Sequence, residues 1–323
     1  MPFVAKQGMS LPTVLYICSA ARCGSTITDM FLGGHSRVAS LGEINFLGKA
    51  VKLGEACSCG EPVASCPAWK RLYDAVLQKT GINIPEAPYA YRLWDARSRV
   101  IIDREYQNAL FHAKFLFRRA WLGLRESLPA GLRTLTPIPP AYEKALHNKM
   151  QLFQLLADSW GKSVIVDSSK NPWEAIELAA RWPAQVKVVL VTRDGRGVYF
   201  SRRSSGFDPK VSVREWMKYY RRAAPMLVKH LPAASLMQMR YEDFASDPEG
   251  RGRELCAFAG IEYEASMLDL SRGERHMANG NNTRFSPGKG IRLDERWRDG
   301  LKDEELAYFE RHGGAVNHKL GYR

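Results

Sequence analysis

The sequence predicts a three-layer α/β protein, a central parallel sheet with helices on both faces, and three observations carry that expectation. Short apolar runs of strand length alternate with helical stretches along most of the chain. The strongest of them, VKVVLVT at 186–192, is apolar almost throughout, as a strand covered on both faces must be. The first, TVLYICS at 13–19, passes directly through a small polar loop into a helix. With 323 residues, 45% hydrophobic and 25% charged, the chain can bury a large core without disulfides or metal. It reads as one domain over 1–323, with a helical block from about 68 to 160 inserted in it.

Taken in order, the loop after the first strand opens a helix through about Leu32, stopped by Gly33 and Gly34. RVASL at 37–41 is a short second strand. A turn-rich segment, CSCGEPVASCPAW, follows from Cys57 to Trp69. Helices are expected at 68–80 and 102–127, the second broken by Pro129, and PIPP at 137–140 is a stiff connector to a helix at 142–160. SVIVD at 163–167 is a strand, PWEAIELAARW at 172–182 a helix with proline in its first turn. After the 186–192 strand come helices at 197–203 and 212–230 and a last strand, SLMQMR at 235–240. Asp247 and Gly260 cap a helix between them.

Charge narrows the partners. Forty-seven Lys and Arg against 34 Asp and Glu leave +13, which calls for an anionic partner. A phosphorylated nucleotide, an acidic membrane, an anionic polysaccharide and nucleic acid all satisfy it. No apolar run reaches the ~18–20 residues of a bilayer span. The opening, MPFVAKQGMSLP, has no long apolar stretch, and six cysteines make no disulfide scaffold. Both predict a reducing, cytoplasmic setting.

Two strand ends carry the chemistry. The layout strand, Ser19-Ala-Ala-Arg22-Cys23-Gly24-Ser25-Thr26, helix presents backbone N–H groups and hydroxyls to an oxyanion, a P-loop-like arrangement. Against the ATP-binding consensus, Ser19 replaces the first glycine and Ser25 the lysine, so the loop is an anion cradle poorly built for Mg–ATP. An ordinary capped helix gives the same local pattern. Arg193 ends the 186–192 strand, where open α/β sheets bind ligands. Ser201 follows eight residues later, two helical turns on, and an arginine fork with a hydroxyl suits a terminal phosphate. The alternative is that Arg193 and Asp194 only cap the next helix. Arg196, Arg202 and Arg203 fit a solvated face, the last two especially.

Together these motifs resemble the sulfotransferases that use 3′-phosphoadenosine-5′-phosphosulfate (PAPS), in particular the tyrosylprotein and bacterial-type branch with an Arg-x-Gly-[Ser/Thr]-[Ser/Thr] loop. The resemblance covers residue 13 to the end, least so at 85–160. It implies that Arg22, Cys23, Gly24, Ser25 and Thr26 hold the 5′ end of the donor, and Arg193 with Ser201 its 3′-phosphate. It also implies that Glu43, in SLGE after the second strand, is the general base and that Lys170, in VDSSKNPW, meets the transferring group. Arg22 and Lys170 then stabilise the transition state. GNNTRF and GKGIRLDERW (280–297) resemble a closing segment, with Arg284 a further phosphate candidate and Lys289 and Arg292 behind it. RYEDF (240–244) reads as structural. Cys23 replaces a usual Ser, and no His follows Lys170 as in the cytosolic animal enzymes. The acceptor is expected to be a hydroxyl, less so an amine, on a carbohydrate, lipid-linked or small molecule or a tyrosine. No metal is required, because sulfuryl carries less charge than phosphoryl. A nucleotide kinase and a non-catalytic polyanion or nucleic-acid binding module are the competing readings. Charges clustered at strand ends rather than in one aromatic-interleaved stripe disfavour nucleic acid.

Cys57, Cys59 and Cys66 are one ligand short of a structural zinc site, which predicts a reduced turn or a local disulfide. Cys18 and Cys256 read as core. The 111–125 helix mixes apolar and basic side chains; the core or the acceptor pocket is favoured over a peripheral contact with anionic lipid. His35 and His112 have no partner readable from sequence.

Overall fold

The computed structural model describes residues 11–93, 109–286 and 288–323. Its sheet has five parallel strands, β1 (Thr13–Cys18), β2 (Val38–Ser40), β3 (Val164–Asp167), β4 (Val186–Thr192) and β5 (Leu236–Arg240), in the order β2-β3-β1-β4-β5. Successive side chains of a strand face opposite ways, and the core divides accordingly. Val14, Tyr16, Cys18, Val188 and Leu190 face one apolar layer with Leu152 and Phe153. Leu15, Ile17, Val189 and Val191 face the other, with Phe31 and Phe244. This is the three-layer α/β sheet that the alternating pattern predicts.

The chain leaves β1 toward β2 and β3 and returns past β1 to β4 on its other flank. The β1/β4 boundary is therefore the point where the winding reverses. In an open parallel sheet that point, at the carboxyl ends of the strands, is where a crevice opens for a ligand.

Helices of Pro67–Thr80, Ala109–Ser127, Ala130–Leu135 and Pro140–Trp160 lie between β2 and β3, as the helical block of the sequence requires. Residues 102–108 of the long helix lie outside the described residues. Pro129 does more than end that helix: it starts the short Ala130–Leu135 helix, which the sequence reading lacks. Within 111–125, Leu122 is buried and Leu116, Phe117 and Leu124 face solvent. Arg125 is not extended to water but buried, joining Arg133 on the carboxylate of Glu177 (Arg133 Nη2 to Oε1, 2.6 Å).

The stretch read as one helix over 212–230 is in fact two, Pro209–Lys218 and Ala224–His230, joined by a wide π-turn at Tyr219–Ala223. Pro225 has no N–H to give to the preceding turn, so the ladder slips there. The start moves back because Asp208 caps the amides of Lys210 (2.7 Å) and Val211 (3.3 Å). The Pro248–Ala259 helix is as expected: Asp247 accepts from Gly250 N at 2.9 Å, and Gly260 takes a left-handed conformation (φ 78°). In the RYEDF segment a Tyr241–Ser246 helix follows β5 directly, and Asp303–Lys319 forms a further helix despite Gly313 and Gly314 in its interior.

Candidate active site

The carboxyl ends of β1, β2, β3 and β4 carry, in turn, the Ser19–Gly24 loop, Glu43, Lys170 and Arg193, and parallel pairing puts all four on one edge of the sheet. Among the described residues, Arg22 (φ 69°) and Lys170 (φ 61°) are the non-glycine residues held in the left-handed region. Such backbone costs on the order of 1–3 kcal/mol and clusters at functional sites. Here it coincides with two cations already singled out by sequence.

Gly24 is required by both its φ of 96° and its surroundings, since a Cβ there would lie 2.6 Å from Cδ2 of Tyr241. It precedes the Ser25–Leu32 helix, whose first amides have no intrahelical acceptor. Ser25 and Thr26 are buried, and Thr26 Oγ1 accepts from the amide of Asn281 at 3.3 Å. The Ser19 hydroxyl and Arg22 Nε are buried without a hydrogen-bond partner among the described residues, as expected of groups that await an anion. Burial raises the Cys23 thiol to about 12, so it lies in this loop as a neutral side chain.

Arg193 lies against the same loop. Its guanidinium donates to the carbonyl of Arg22 (3.0 Å) and to Asp294 Oδ2 (3.0 Å), and it stacks over the Tyr241 ring at 4.5 Å. Arg296 and Arg193 hold the Asp294 carboxyl down at about 2, against its partial burial, so this ion pair persists across the ordinary pH range. Arg22 itself reaches the Ser205 hydroxyl, and Ser205 Oγ donates to the carbonyl of Ser201 at 2.9 Å. Arg22, Arg193 and the end of the Gly195–Arg203 helix thus meet. Asp194 does cap that helix, accepting from Arg196 N at 2.8 Å, while Arg193 remains turned to the loop. Arg202 and Arg203 are not a solvated face: Arg202 bonds Ser212 (3.0 Å) and Glu215 (2.9 Å), and Arg203 ties Glu305 and the carbonyl of Gly300 (2.6 Å).

On the other side of β1, Lys170 Nζ contacts Glu43 Oε1 at 2.5 Å, both side chains less than one-fifth exposed. The Lys170 amide donates to Ile17 O of β1 (3.2 Å), which brings this pair beside the β1 loop. Behind it lies a network that the sequence reading missed. Lys149, fully buried, bonds Asp167 (3.0 Å) and Glu174 (2.6 Å), and Glu174 also accepts from Tyr16 OH (2.9 Å) and Asn45 Nδ2 (2.6 Å). Asp167 accepts from the Ser169 hydroxyl, which in turn accepts from Asn45 N at 3.1 Å. The network therefore anchors the turns on which Lys170 and Glu43 stand. The legible signal was a lysine on the buried stripe of an amphipathic helix, between Leu146, Met150 and Phe153. Asp29 supports the Glu43 turn from below, accepting from Ser40 Oγ (2.6 Å), Gly42 N (3.0 Å) and Ser168 Oγ (2.7 Å). Burial raises its carboxyl to about 7 although these three donors pull the other way.

Arg284 is buried, its two Nη atoms donate to the carbonyls of Gly280 and Ala56 near the Glu43 and Glu55 carboxylates, and its Nε has no hydrogen-bond partner among the described residues. Lys289 and Arg292 are exposed. His35 has a partner after all, the carbonyl of Glu262 (2.8 Å); the side chain of His112 lies outside the described residues. Tyr241 and Asp294, which clamp Arg193, were not singled out: their partners are distant in sequence and nothing local marks them.

The profile of the sulfotransferase family matches residues 13–265. The chain belongs to the sulfotransferase family. It is thus an enzyme of sulfuryl transfer, with PAPS the donor that the family uses. Over 100% of its length it is similar to 99% of the sulfotransferase domain of the Synechococcus PCC 7002 olefin synthase, at 18% identity and a TM-score of 0.57. The sulfotransferase domain of the curacin biosynthetic pathway gives 18% identity and a TM-score of 0.53, over 98% of this chain and 99% of that one. These likenesses show the shared fold. No curated protein matches. Among the described residues of this sulfotransferase, no helix is long and apolar enough to cross a membrane.

The loop residues fit such a donor: a glycine at positive φ, a helix N-terminus, and a buried hydroxyl and guanidinium nitrogen without partners among the described residues. Gly24→Ala is expected to cost about 1–3 kcal/mol of stability through strain and the Tyr241 clash. Melting curves with and without adenosine 3′,5′-bisphosphate check it, and the nucleotide-induced rise in melting temperature should shrink as well.

Proposed function

We propose that this sulfotransferase moves the sulfuryl group of PAPS in line to a hydroxyl of an acceptor held beside Lys170, with Glu43 as general base. The observation that carries the reading is the Glu43–Lys170 contact of 2.5 Å, at the strand edge shared with the Arg22 loop. A carboxylate there accepts the acceptor's proton as the oxygen attacks. Lys170 and Arg22 neutralise charge on the equatorial oxygens and on the leaving phosphate. Transfer of this kind is loose and in line, so positioning and electrostatic stabilisation carry most of the catalysis. The Arg22–Thr26 loop grips the 5′ end of the donor and Arg193 with Ser201 its 3′-phosphate.

A cleft of about 970 Å³ opens at Lys170, bounded on one side by the long helix of the insertion through Gly123 and Ser127. Phe46 and Met226 give it apolar lining, and Lys170, Lys218, Arg221 and Arg222 outnumber the acidic lining residues Glu126 and Glu215. That lining suits an acceptor with an apolar body and an acidic group near its hydroxyl. The test is incubation with sulfur-labelled PAPS and a panel of hydroxyl compounds with and without a carboxylate or phosphate. Label transfer with equal release of adenosine 3′,5′-bisphosphate is expected, fastest for acidic acceptors. Metal-dependent ATP hydrolysis without label transfer would return the kinase reading, and salt-sensitive DNA binding alone the polyanion module.

Arg193→Ala separates the two phosphate sites. Losing a charge-assisted hydrogen bond costs about 1.5–3 kcal/mol, roughly 10- to 150-fold in affinity. Calorimetry should show that loss for adenosine 3′,5′-bisphosphate and little change for adenosine 5′-monophosphate. Equal losses for both would remove Arg193 from the 3′ end.

A further inference from the structure

The Cys57–Cys66 segment folds back on itself: Cys57 N donates to Glu61 O (2.8 Å), Gly60 N to Cys57 O (2.9 Å) and Cys66 N to Pro62 O (2.8 Å). Three sulfurs consequently face one point. The group that the sequence left wanting arrives from 210 residues downstream. His276 Nδ1 lies 3.3 Å from Cys66 Sγ and 3.8 Å from Cys57 Sγ, and Cys59 Sγ lies 3.6 Å from Cys66 Sγ. All four donor atoms are within 4.8 Å of one another.

Zinc binds sulfur at about 2.3 Å and nitrogen at about 2.0–2.1 Å in a tetrahedron, which sets neighbouring ligand atoms roughly 3.5–3.8 Å apart. Three of the six spacings, 3.3, 3.6 and 3.8 Å, lie near that edge, and the other three stay within 4.8 Å. A disulfide needs its sulfurs at about 2.05 Å, and all six cysteines are free thiols. His276 Nε2 lies 2.8 Å from Glu274 Oε1; a proton held there by the carboxylate leaves the Nδ1 lone pair facing the sulfurs, the usual outer support of a metal-binding imidazole.

We propose that Cys57, Cys59, Cys66 and His276 bind one structural zinc ion. On binding, the three thiols release their protons to solvent, and three thiolates with a neutral imidazole fill all four positions. No position is left for water or substrate, so the site holds structure and does no chemistry. Thiolate and imidazole select zinc over magnesium, calcium or manganese. What the ion would hold is the strap from Arg275 to Asn281. Ser58 N donates to Met277 O (3.2 Å) and Ser58 Oγ to Arg275 O (2.8 Å); Ala278 N donates to Leu41 O (3.0 Å), and Asn279 O accepts from the amide of Glu43 (3.3 Å). The same strap gives Asn281 N to Thr26. One ion would thus brace the backbone of the Glu43 turn and the edge of the phosphate loop together. The site rests on four side chains alone and stands or falls independently of the sulfuryl-transfer assignment.

The test is elemental mass spectrometry of the full chain, purified under reducing conditions without chelator or metal affinity. One zinc per chain is expected. Exchange for cobalt should give the ligand-field and sulfur-to-metal absorption of a tetrahedral thiolate site, and chelation should lower the melting temperature. His276→Ala and Cys66→Ser should lose the ion; the first two measurements need neither variant to fold. The proposal fails if the reduced chain takes up no zinc when it is supplied, if mass mapping finds a Cys59–Cys66 disulfide in the reduced preparation, or if both variants keep a full equivalent.

Discussion

Glu43→Gln is expected to fold, to bind adenosine 3′,5′-bisphosphate as the parent does, and to lose turnover by ~10²–10⁴, the usual contribution of a positioned general base. Glutamine keeps the shape and can still accept from Lys170 Nζ, which now meets Glu43 at 2.5 Å, but it cannot take a proton at neutral pH. The pair is more than four-fifths buried, so losing its charge should lower the melting temperature somewhat while the retained hydrogen bond keeps the fold. Single-turnover rates at saturating donor make the measurement, with nucleotide binding followed in parallel. Turnover close to that of the parent would remove Glu43 as base; lost binding would make it a structural residue of the loop edge instead.

Lys149→Met is expected to destabilise the fold by about 3–5 kcal/mol, because it removes the single cation from a buried group and leaves Asp167 and Glu174 uncompensated. The loss should depend on pH. Burial already pushes the Glu174 carboxyl up, against the pull of Lys149. Without the ammonium, one of the two carboxyls keeps its proton to a higher pH in the folded state than in the unfolded chain. The folded variant then binds more protons, so its stability falls as pH rises above the ordinary carboxylate range. Urea unfolding at pH 5 and pH 8 should show the deficit growing with pH; an equal deficit at both would mean that packing, not charge, is what Lys149 supplies. Activity should fall along with stability, since Asn45 and Ser169 carry the network to the Glu43 and Lys170 turns.

The sequence by itself determined what is local. The β1 loop, Arg193 at the end of β4 and the Asp247 and Gly260 caps were legible because each rests on neighbours a few residues apart. Pro225 was visible, but a helix spanning it reads the same until the slipped turn at Tyr219–Ala223 is seen. Tertiary structure decided whatever needed partners far apart in sequence. Tyr241 under Gly24, Asp294 on Arg193, the Lys149 cluster and His276 beside three cysteines join residues from 18 to 219 positions apart. A charge or a thiol declares its role only through what surrounds it after burial, when an unpaired group becomes costly and a paired one becomes a brace. Composition and spacing record the residues but not their enclosure, which only the folded chain supplies.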